Sequence, residues 1–98
     1  MFRIRLDERA LDEIAELPTF HRARLLDEIE RQLTHEPAKA TRRKKFIRGI
    51  VPPWADREGF WQLTVVPYRV FYDVDEERKI VEVRAVRRKL SRRTEDSL

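Results

Sequence analysis

Residues 60–74, FWQLTVVPYRVFYDV, predict two β-strands joined by a tight turn. β-Branched and aromatic residues fill the stretch, and Pro67 belongs at the turn because proline has no amide hydrogen to donate to a sheet. Side chains alternate between the faces of a strand. One face of the second strand carries Tyr68, Val70 and Tyr72, and the other carries Arg69, Phe71 and Asp73. An unpaired arginine is costly to bury, so we expect Arg69 to face solvent, a partner or a ligand.

The composition indicates one small folded domain, residues 1–98, ending in a polar tail at residues 90–98. Without cysteine there is no disulfide and no thiol nucleophile. With only His21 and His35, both expected to be solvated on helix surfaces, we expect no metal centre and no cofactor. No apolar run approaches the roughly 20 residues needed to cross a bilayer, and the N-terminus lacks a signal peptide's apolar core. We therefore expect a cytoplasmic protein that does not bind membranes.

Charge is distributed unevenly along the chain. Residues 1–36 carry six basic and nine acidic side chains, whereas residues 37–93 carry sixteen basic and seven acidic ones. An acidic first third joined to a strongly basic remainder predicts one face suited to a polyanion. Nucleic acid and an acidic protein segment both remain candidates.

The first third of the chain predicts a strand followed by two helices. Residues 2–6 alternate apolar and basic side chains, as in a half-buried strand. Asp7 is a suitable N-cap for a helix through Leu17, and Thr19 for a second helix from about Phe20 to Leu33. Their apolar stripes are formed by Leu11, Ile14 and Ala15 in the first helix and by Leu25, Leu26, Ile29 and Leu33 in the second. The short connection predicts an antiparallel helix hairpin.

The rest of the chain predicts a sheet. A strand is expected in the second half of residues 41–50, TRRKKFIRGI, and a last strand at residues 79–86, with Val81, Val83 and Ala85 on one face. Short connections require antiparallel neighbours. The predicted fold class is α+β: an N-terminal strand, an antiparallel two-helix hairpin, then a mainly antiparallel sheet of three to four strands. The helices should cover one face of the sheet and leave Arg69 on the open one.

Two basic clusters, residues 42–48 and 84–93, suit contact with a phosphate backbone. The candidate RNA-binding cations are Lys44, Lys45, Arg48, Arg84 and Arg87. Phe71, on the face of Arg69, is a candidate for stacking on a base, whereas we expect Trp61 to pack in or around the core. Alternatively, the clusters are a solvated, edge-protecting pattern, and Arg69 forms an ion pair with Asp73 or Glu82.

The order of these elements resembles the RelE/ParE superfamily of bacterial toxins from type II toxin–antitoxin modules. The resemblance covers nearly the whole chain. It is carried by the stretches LDERALDEIAEL, LLDEIERQL before Pro37, RRKKFIRG, FWQLTVVPYRVFYDVDEE and VRAVRRK.

This resemblance implies a compact α+β toxin that either cleaves mRNA in the ribosomal A site or, in the ParE branch, inhibits DNA gyrase without being an enzyme. It also implies a cognate antitoxin that wraps the toxin in a hetero-oligomer. The expected partners are therefore the antitoxin with the ribosome and mRNA, or alternatively the antitoxin with gyrase. A third reading is a catalytically degenerate toxin that acts mainly through its antitoxin.

Site residues follow from the resemblance position by position. Arg69 matches the central arginine of the RNA-cleaving members, and Lys89 or Arg88 falls near their C-terminal arginine. Gln62 and Thr64 stand where those members have strand lysines, and Thr94-Glu95 stands where a tyrosine is often found. RNA cleavage also needs a general base, for which the candidates are Lys44, Lys45 and Lys89.

Overall fold

The computed structural model describes residues 1–89 together with Thr94 and Leu98. Within these residues the chain forms β1 (Arg3–Leu6), α1 (Glu8–Ala15), α2 (Thr19–Leu33), β2 (Lys44–Ile47), β3 (Phe60–Val65), β4 (Tyr68–Asp75) and β5 (Ile80–Arg88). The strands make one sheet in the order β1-β5-β4-β3-β2, with β1 parallel to β5 and the other pairs antiparallel. The predicted α+β class and mainly antiparallel sheet are confirmed, but the sheet has five strands instead of three to four, because β1 joins it beside β5. Apart from Thr94 and Leu98, the predicted tail lies outside the described residues.

The two helices begin by different means. Asp7 is the N-cap of α1, and its Oδ1 accepts a hydrogen bond from the Ala10 amide at 3.0 Å. Pro18 precedes α2 and provides no side-chain cap, because Thr19 is already the first helical residue. The prediction that Thr19 caps the second helix was therefore wrong. The hydroxyl of Thr19 accepts instead from the Arg22 guanidinium.

The main core lies between the helices and the sheet, with α1 packed on β5 and α2 on β3. From the helices it takes Ala10, Ile14, Leu25, Ile29 and Leu33, all buried. The predicted stripe of α1 was wrong in part, because Leu11 is half exposed and Ala15 is exposed. Ala10 and Ile14, four residues apart, share the face that turns to β5.

A second, smaller core covers part of the opposite face. Phe60, Phe71 and Ala85 are buried there, and the loop after β2 folds Trp54 over them. The ring centroids of Trp54 and Phe71 lie 6.0 Å apart in a stacked arrangement. Phe71 is fully buried in this cluster, so it is unable to stack on a base and that prediction was wrong. Arg69 lies on the same face, outside this cluster.

A β-bulge explains why one predicted face of β5 was wrong. Phe71 pairs with Ala85 while Tyr72 pairs with Val83, which leaves Arg84 as an extra residue in β5. An extra residue reverses the alternation of side chains beyond it. Val81 and Val83 consequently face the helices, whereas Ala85 joins Phe71 in the second core.

The turn between β3 and β4 positions the end of β5. It consists of Val66 and Pro67, joined by a cis peptide bond. The Pro67 carbonyl accepts from the Lys89 amide at 2.6 Å, and the Val66 carbonyl accepts from the Arg24 guanidinium at 2.6 Å. Lys89 is thereby held at the end of the sheet where Arg69 also lies. Among the described residues, neither helix has the length and hydropathy to span a bilayer.

Candidate functional site

A pocket of about 500 Å³ opens on the sheet face opposite the helices. Five of its lining residues are cations, namely Arg42, Arg43, Lys45, Arg69 and Lys89, and the others are Gln62, Thr64 and Val66. None of the described residues lining it carries a carboxylate. So many cations in one concavity repel one another, and a bound anion relieves that repulsion. The pocket is therefore suited to a phosphate group.

Arg69 forms the floor of this pocket. Its neighbours Tyr68 and Val70 belong to the main core, so the alternation of β4 turns Arg69 to the other face. Its side chain is only 2% exposed, and it lies beside Thr64 in the register of β3 and β4. A guanidinium offers two parallel N–H groups to a phosphate and stays charged when it is buried.

The two carboxylates considered as partners of Arg69 form ion pairs elsewhere. Asp73 Oδ2 lies 3.0 Å from Arg84 Nε, and Glu82 Oε1 lies 3.3 Å from Arg5 Nε. Arg69 lies on the sheet face away from the helices, as predicted, but it is buried there and does not face open solvent.

β2 and the chain before it form one wall of the pocket. Lys45 is exposed and pairs with Gln62, and the Arg43 carbonyl accepts from the Thr64 amide at 2.8 Å. Gln62 is 3% exposed, and its Oε1 accepts from the Thr94 hydroxyl at 2.8 Å. This wall therefore presents ammonium, guanidinium and amide groups.

Lys89 and Arg88 are the two alternative matches to the C-terminal arginine of the RNA-cleaving toxins, and their surroundings differ. Lys89 lines the pocket, whereas the exposed Arg88 pairs with Tyr68 and is not among the lining residues. The geometry thus favours Lys89 as the neighbour of Arg69.

Lys44 supports the fold and does not line the pocket. It is 5% exposed, and its Nζ donates to the carbonyl oxygens of Gln32 at 3.0 Å and Glu36 at 2.8 Å. Burial lowers the pKa of Lys44, an effect that nearby Glu36 partly opposes. Because these bonds hold the ammonium group under the C-terminal end of α2, Lys44 is excluded as an RNA contact and as the base.

The other predicted cations are engaged outside the pocket. Arg48 lies over the Phe46 ring at 5.3 Å from its centroid. Arg84 pairs with Asp73 and Asp7. Arg87 pairs with Glu13 of α1, and its pKa is lowered by burial and by Arg9. Of the two basic clusters of the sequence, the described residues that line the pocket are therefore Arg42, Arg43 and Lys45 of the first and Lys89 of the second.

Acidic residues collect at the opposite end of the strands. A second concavity near the β4–β5 turn is lined by Asp73, Asp75, Glu76, Glu77 and Glu82, together with Val74 and the two arginines Arg57 and Arg84. The cationic pocket and this acidic concavity lie at opposite ends of β4. Strands rise about 3.3 Å per residue, so the two ends are about 20 Å apart.

The histidines do not contribute to the pocket. His21 lies between α2 and β4, where its Nδ1 is 2.6 Å from the Tyr68 hydroxyl, so the expectation of a solvated His21 was wrong. Among residues 1–89, Thr94 and Leu98, no cluster of three or more histidines and carboxylates has the arrangement of a metal site. Arg42 and Arg43 were recognised in the sequence only as members of a basic cluster, because nothing in the sequence shows that their segment runs along β3.

Solved structures with the same fold include several toxin–antitoxin complexes. The archaeal RelE–RelB complex from Pyrococcus horikoshii OT3 contains a chain with a TM-score of 0.70 and 18% identity, aligned over 91% of this chain and 96% of that one. For the RelBE2 complex from Mycobacterium tuberculosis the TM-score is 0.64 and the identity 22%, aligned over 87% of this chain and 94% of that one. For the intact RelBE complex from E. coli the TM-score is 0.52 and the identity 26%, aligned over 94% of this chain and 100% of that one. The fold is thus that of the RelE-like toxins.

A family model assigns the chain more closely. The model of the ParE toxin of type II toxin–antitoxin systems matches residues 4–91. The chain belongs to this family, and the predicted membership of the RelE/ParE superfamily is confirmed. No curated protein matches the sequence significantly.

Proposed function

We propose that this toxin cleaves mRNA on the ribosome and that the Arg69 pocket holds the scissile phosphate. The observation that supports this most directly is the burial of Arg69 at the floor of a concavity lined by four further cations and by no described carboxylate. Phosphodiester cleavage develops negative charge on the non-bridging oxygens. Donors fixed in advance around those oxygens stabilise the transition state.

The proposed reaction is an internal transfer. The ribose 2′-oxygen attacks phosphorus and gives its proton to a base, the bond from phosphorus to the 5′-oxygen breaks, and an acid protonates the leaving oxygen. The products are a 2′,3′-cyclic phosphate and a 5′-hydroxyl. Arg69 contacts the non-bridging oxygens, and Lys45 and Lys89, which line the pocket, are the proposed proton-transfer groups.

A second candidate is inhibition of DNA gyrase without catalysis. The matching family model is that of ParE, and Gln62 and Thr64 occupy the pocket wall where RNA-cleaving relatives would have lysines. A pocket with fewer amines has fewer groups able to transfer a proton. In this reading the cationic surface binds a protein or DNA partner, and Arg69 contributes charge only.

We also propose that a cognate antitoxin binds and neutralises this toxin in the cytoplasm. The support is that several of the similar solved structures are toxin–antitoxin complexes. A degenerate toxin would retain this partner and lose the other activities.

The test compares Arg69→Gln with Arg78→Gln. Arg78 is 78% exposed at the β4–β5 turn, so its replacement removes the same charge far from the pocket. Purified protein is added to ribosomes programmed with a defined mRNA, cuts are mapped by primer extension, and gyrase supercoiling is assayed in parallel. Thermal unfolding followed by circular dichroism establishes that both variants are folded.

We expect cleavage by the unmodified protein and by Arg78→Gln, and a rate about 10²-fold lower for Arg69→Gln, as when one donor to a developing oxyanion is removed. Intact mRNA with blocked supercoiling would favour the gyrase reading. If the protein cleaves no mRNA, leaves supercoiling unchanged and allows cells that express it to grow, the result would favour the reading as a degenerate toxin.

A further inference from the structure

Among the described residues that line the pocket, Gln62 carries the one uncharged amide side chain. It lies on β3 between Lys45 of β2 and Phe71 of β4 in the register of the sheet. Its burial is nearly complete, yet it lines the pocket, so the small part of the residue that stays accessible borders the space where an anion would bind.

The orientation of this amide is set by Thr94. The Thr94 hydroxyl donates to Gln62 Oε1 at 2.8 Å, and Thr94 is itself only 7% exposed. An amide carries an acceptor on one side and an NH₂ donor on the other. With Oε1 engaged by Thr94, the group that Gln62 presents to a ligand is its Nε2 donor.

This orientation matters because a neighbouring cation favours the opposite one. The positive charge of Lys45, the strand neighbour of Gln62, attracts the amide oxygen. An oxygen facing the pocket would meet the oxygens of a phosphate, acceptor against acceptor. The hydrogen bond from Thr94 counters this rotation and leaves a pocket lined by donors.

We propose that Gln62 is a substrate-binding residue whose Nε2 donates to a phosphate oxygen, and that Thr94 is the positioning residue that holds the amide in this orientation. The inference rests on the proposed function in that the phosphate belongs to an RNA backbone. It adds a contact with a neutral donor beside Arg69, and it gives Thr94 a part in forming the pocket.

The experiment measures RNA affinity and the Gln62 side chain separately. The RNA probe is a fluorescein-labelled single-stranded decamer with 2′-O-methyl groups, which cannot undergo 2′-oxygen attack, and binding is followed by anisotropy. The variants are Gln62→Leu, Thr94→Val, Thr94→Ser and the double variant Gln62→Leu with Thr94→Val. Thr34→Val, which removes a hydroxyl bonded to Glu30 of α2, is the matched control.

We expect Gln62→Leu to bind the probe about tenfold more weakly, the effect of one lost hydrogen bond to a charged group. Thr94→Val should weaken binding several-fold, whereas Thr94→Ser and Thr34→Val should match the unmodified protein. The double variant should bind no more weakly than Gln62→Leu alone, because Thr94 acts through Gln62 and the two effects are then not additive.

A nuclear magnetic resonance titration with inorganic phosphate gives a second readout. The NH₂ signals of Gln62, assigned by their loss in Gln62→Leu, should shift with phosphate in the unmodified protein and in Thr94→Ser, and shift much less in Thr94→Val. A purely structural role for Thr94 would lower the unfolding temperature and leave this shift in place, which would overturn the inference.

The same measurements on Arg69→Gln separate the two proposals. If Arg69→Gln weakens RNA binding while Thr94→Val does not, the positioning role is wrong and the proposed function stands. If Arg69→Gln binds the probe as well as the unmodified protein does, the pocket does not hold the phosphate, and both proposals are wrong.

Discussion

Tyr72, in β4, donates its phenolic hydrogen to the carbonyl oxygen of Pro37 at 2.7 Å. The contact joins the central strand to the chain just after α2, and both residues are buried. The ring of Tyr72 stacks on Trp61 with 6.2 Å between centroids. Burial raises the pKa of the Tyr72 hydroxyl far above its ordinary value.

We expect Tyr72→Phe to lower the free energy of unfolding by about 1–3 kcal/mol at pH 7, because the buried Pro37 carbonyl loses its donor. In the unmodified protein stability should fall above about pH 10, where the unfolded tyrosine ionises and the folded one stays protonated. Tyr72→Phe has no hydroxyl to ionise at this position. The difference in unfolding free energy between the unmodified protein and the variant should therefore narrow from pH 10 to 11. Urea unfolding at pH 7, 10 and 11 measures this difference. A difference that stays constant over these pH values would contradict the role given to the Tyr72 hydroxyl.

Lys44 and Lys45 are neighbours in β2 with opposite expected roles. Lys44→Met should lower the free energy of unfolding by about 1–3 kcal/mol, because two carbonyls at the end of α2 lose their donor, and should leave RNA affinity unchanged. Lys45→Met should change stability by no more than about 0.5 kcal/mol. It should weaken RNA binding and reduce the slope of log affinity against log salt by about 0.7. Denaturant unfolding measures the stability of both variants, and anisotropy at several salt concentrations measures their RNA affinity. Equal changes in stability and affinity for the two variants would contradict the separate roles of Lys44 and Lys45.

At the edge of β5, the carboxylate of Glu13 accepts a backbone hydrogen bond of the kind that a neighbouring strand would otherwise accept. β1 pairs with β5 only as far as Val83, and beyond it Glu13 Oε1 accepts from the Val86 amide at 2.8 Å. Glu13→Gln retains an acceptor but loses the charge that pairs with Arg87, so unfolding free energy should fall by about 1–2 kcal/mol. Hydrogen exchange at the Val86 amide should speed up, whereas exposed Asp12→Asn serves as the control. Unchanged exchange would show that Glu13 does not protect this edge.

Phe71→Leu tests whether this ring belongs to the core. Loss of its packing on Trp54 and Phe60 should cost about 1–2 kcal/mol of unfolding free energy. RNA affinity of the folded variant should equal that of the unmodified protein, since the ring is fully buried. A large loss of affinity with unchanged stability would restore base stacking as its role.

The fold was largely predictable because the local signals agree with each other. Alternation along β4 placed Arg69 correctly on the face away from the helices, and Asp7 and Pro67 marked a helix start and a turn. The errors on β5 and α1 have physical causes. The extra residue Arg84 reverses the alternation, and which stripe of a short helix is buried depends on where the sheet lies.

The site was less predictable because it depends on contacts between distant segments. The lysine that faces away from the pocket, Lys44, is bonded to a carbonyl of the last turn of α2 and to one in the chain just after it, those of Gln32 and Glu36. Phe71 shares a face with Arg69, yet a loop about 15 residues earlier covers it. Neither contact has a signal in the local sequence.

The separation of the cationic pocket from the acidic concavity at the other end of β4 gives the molecule a permanent electric dipole along its sheet. In the field of a polyanion such a dipole experiences a torque as well as an attraction. The molecule will therefore arrive already rotated, with Arg69 leading and the β4–β5 turn trailing, before any atom touches.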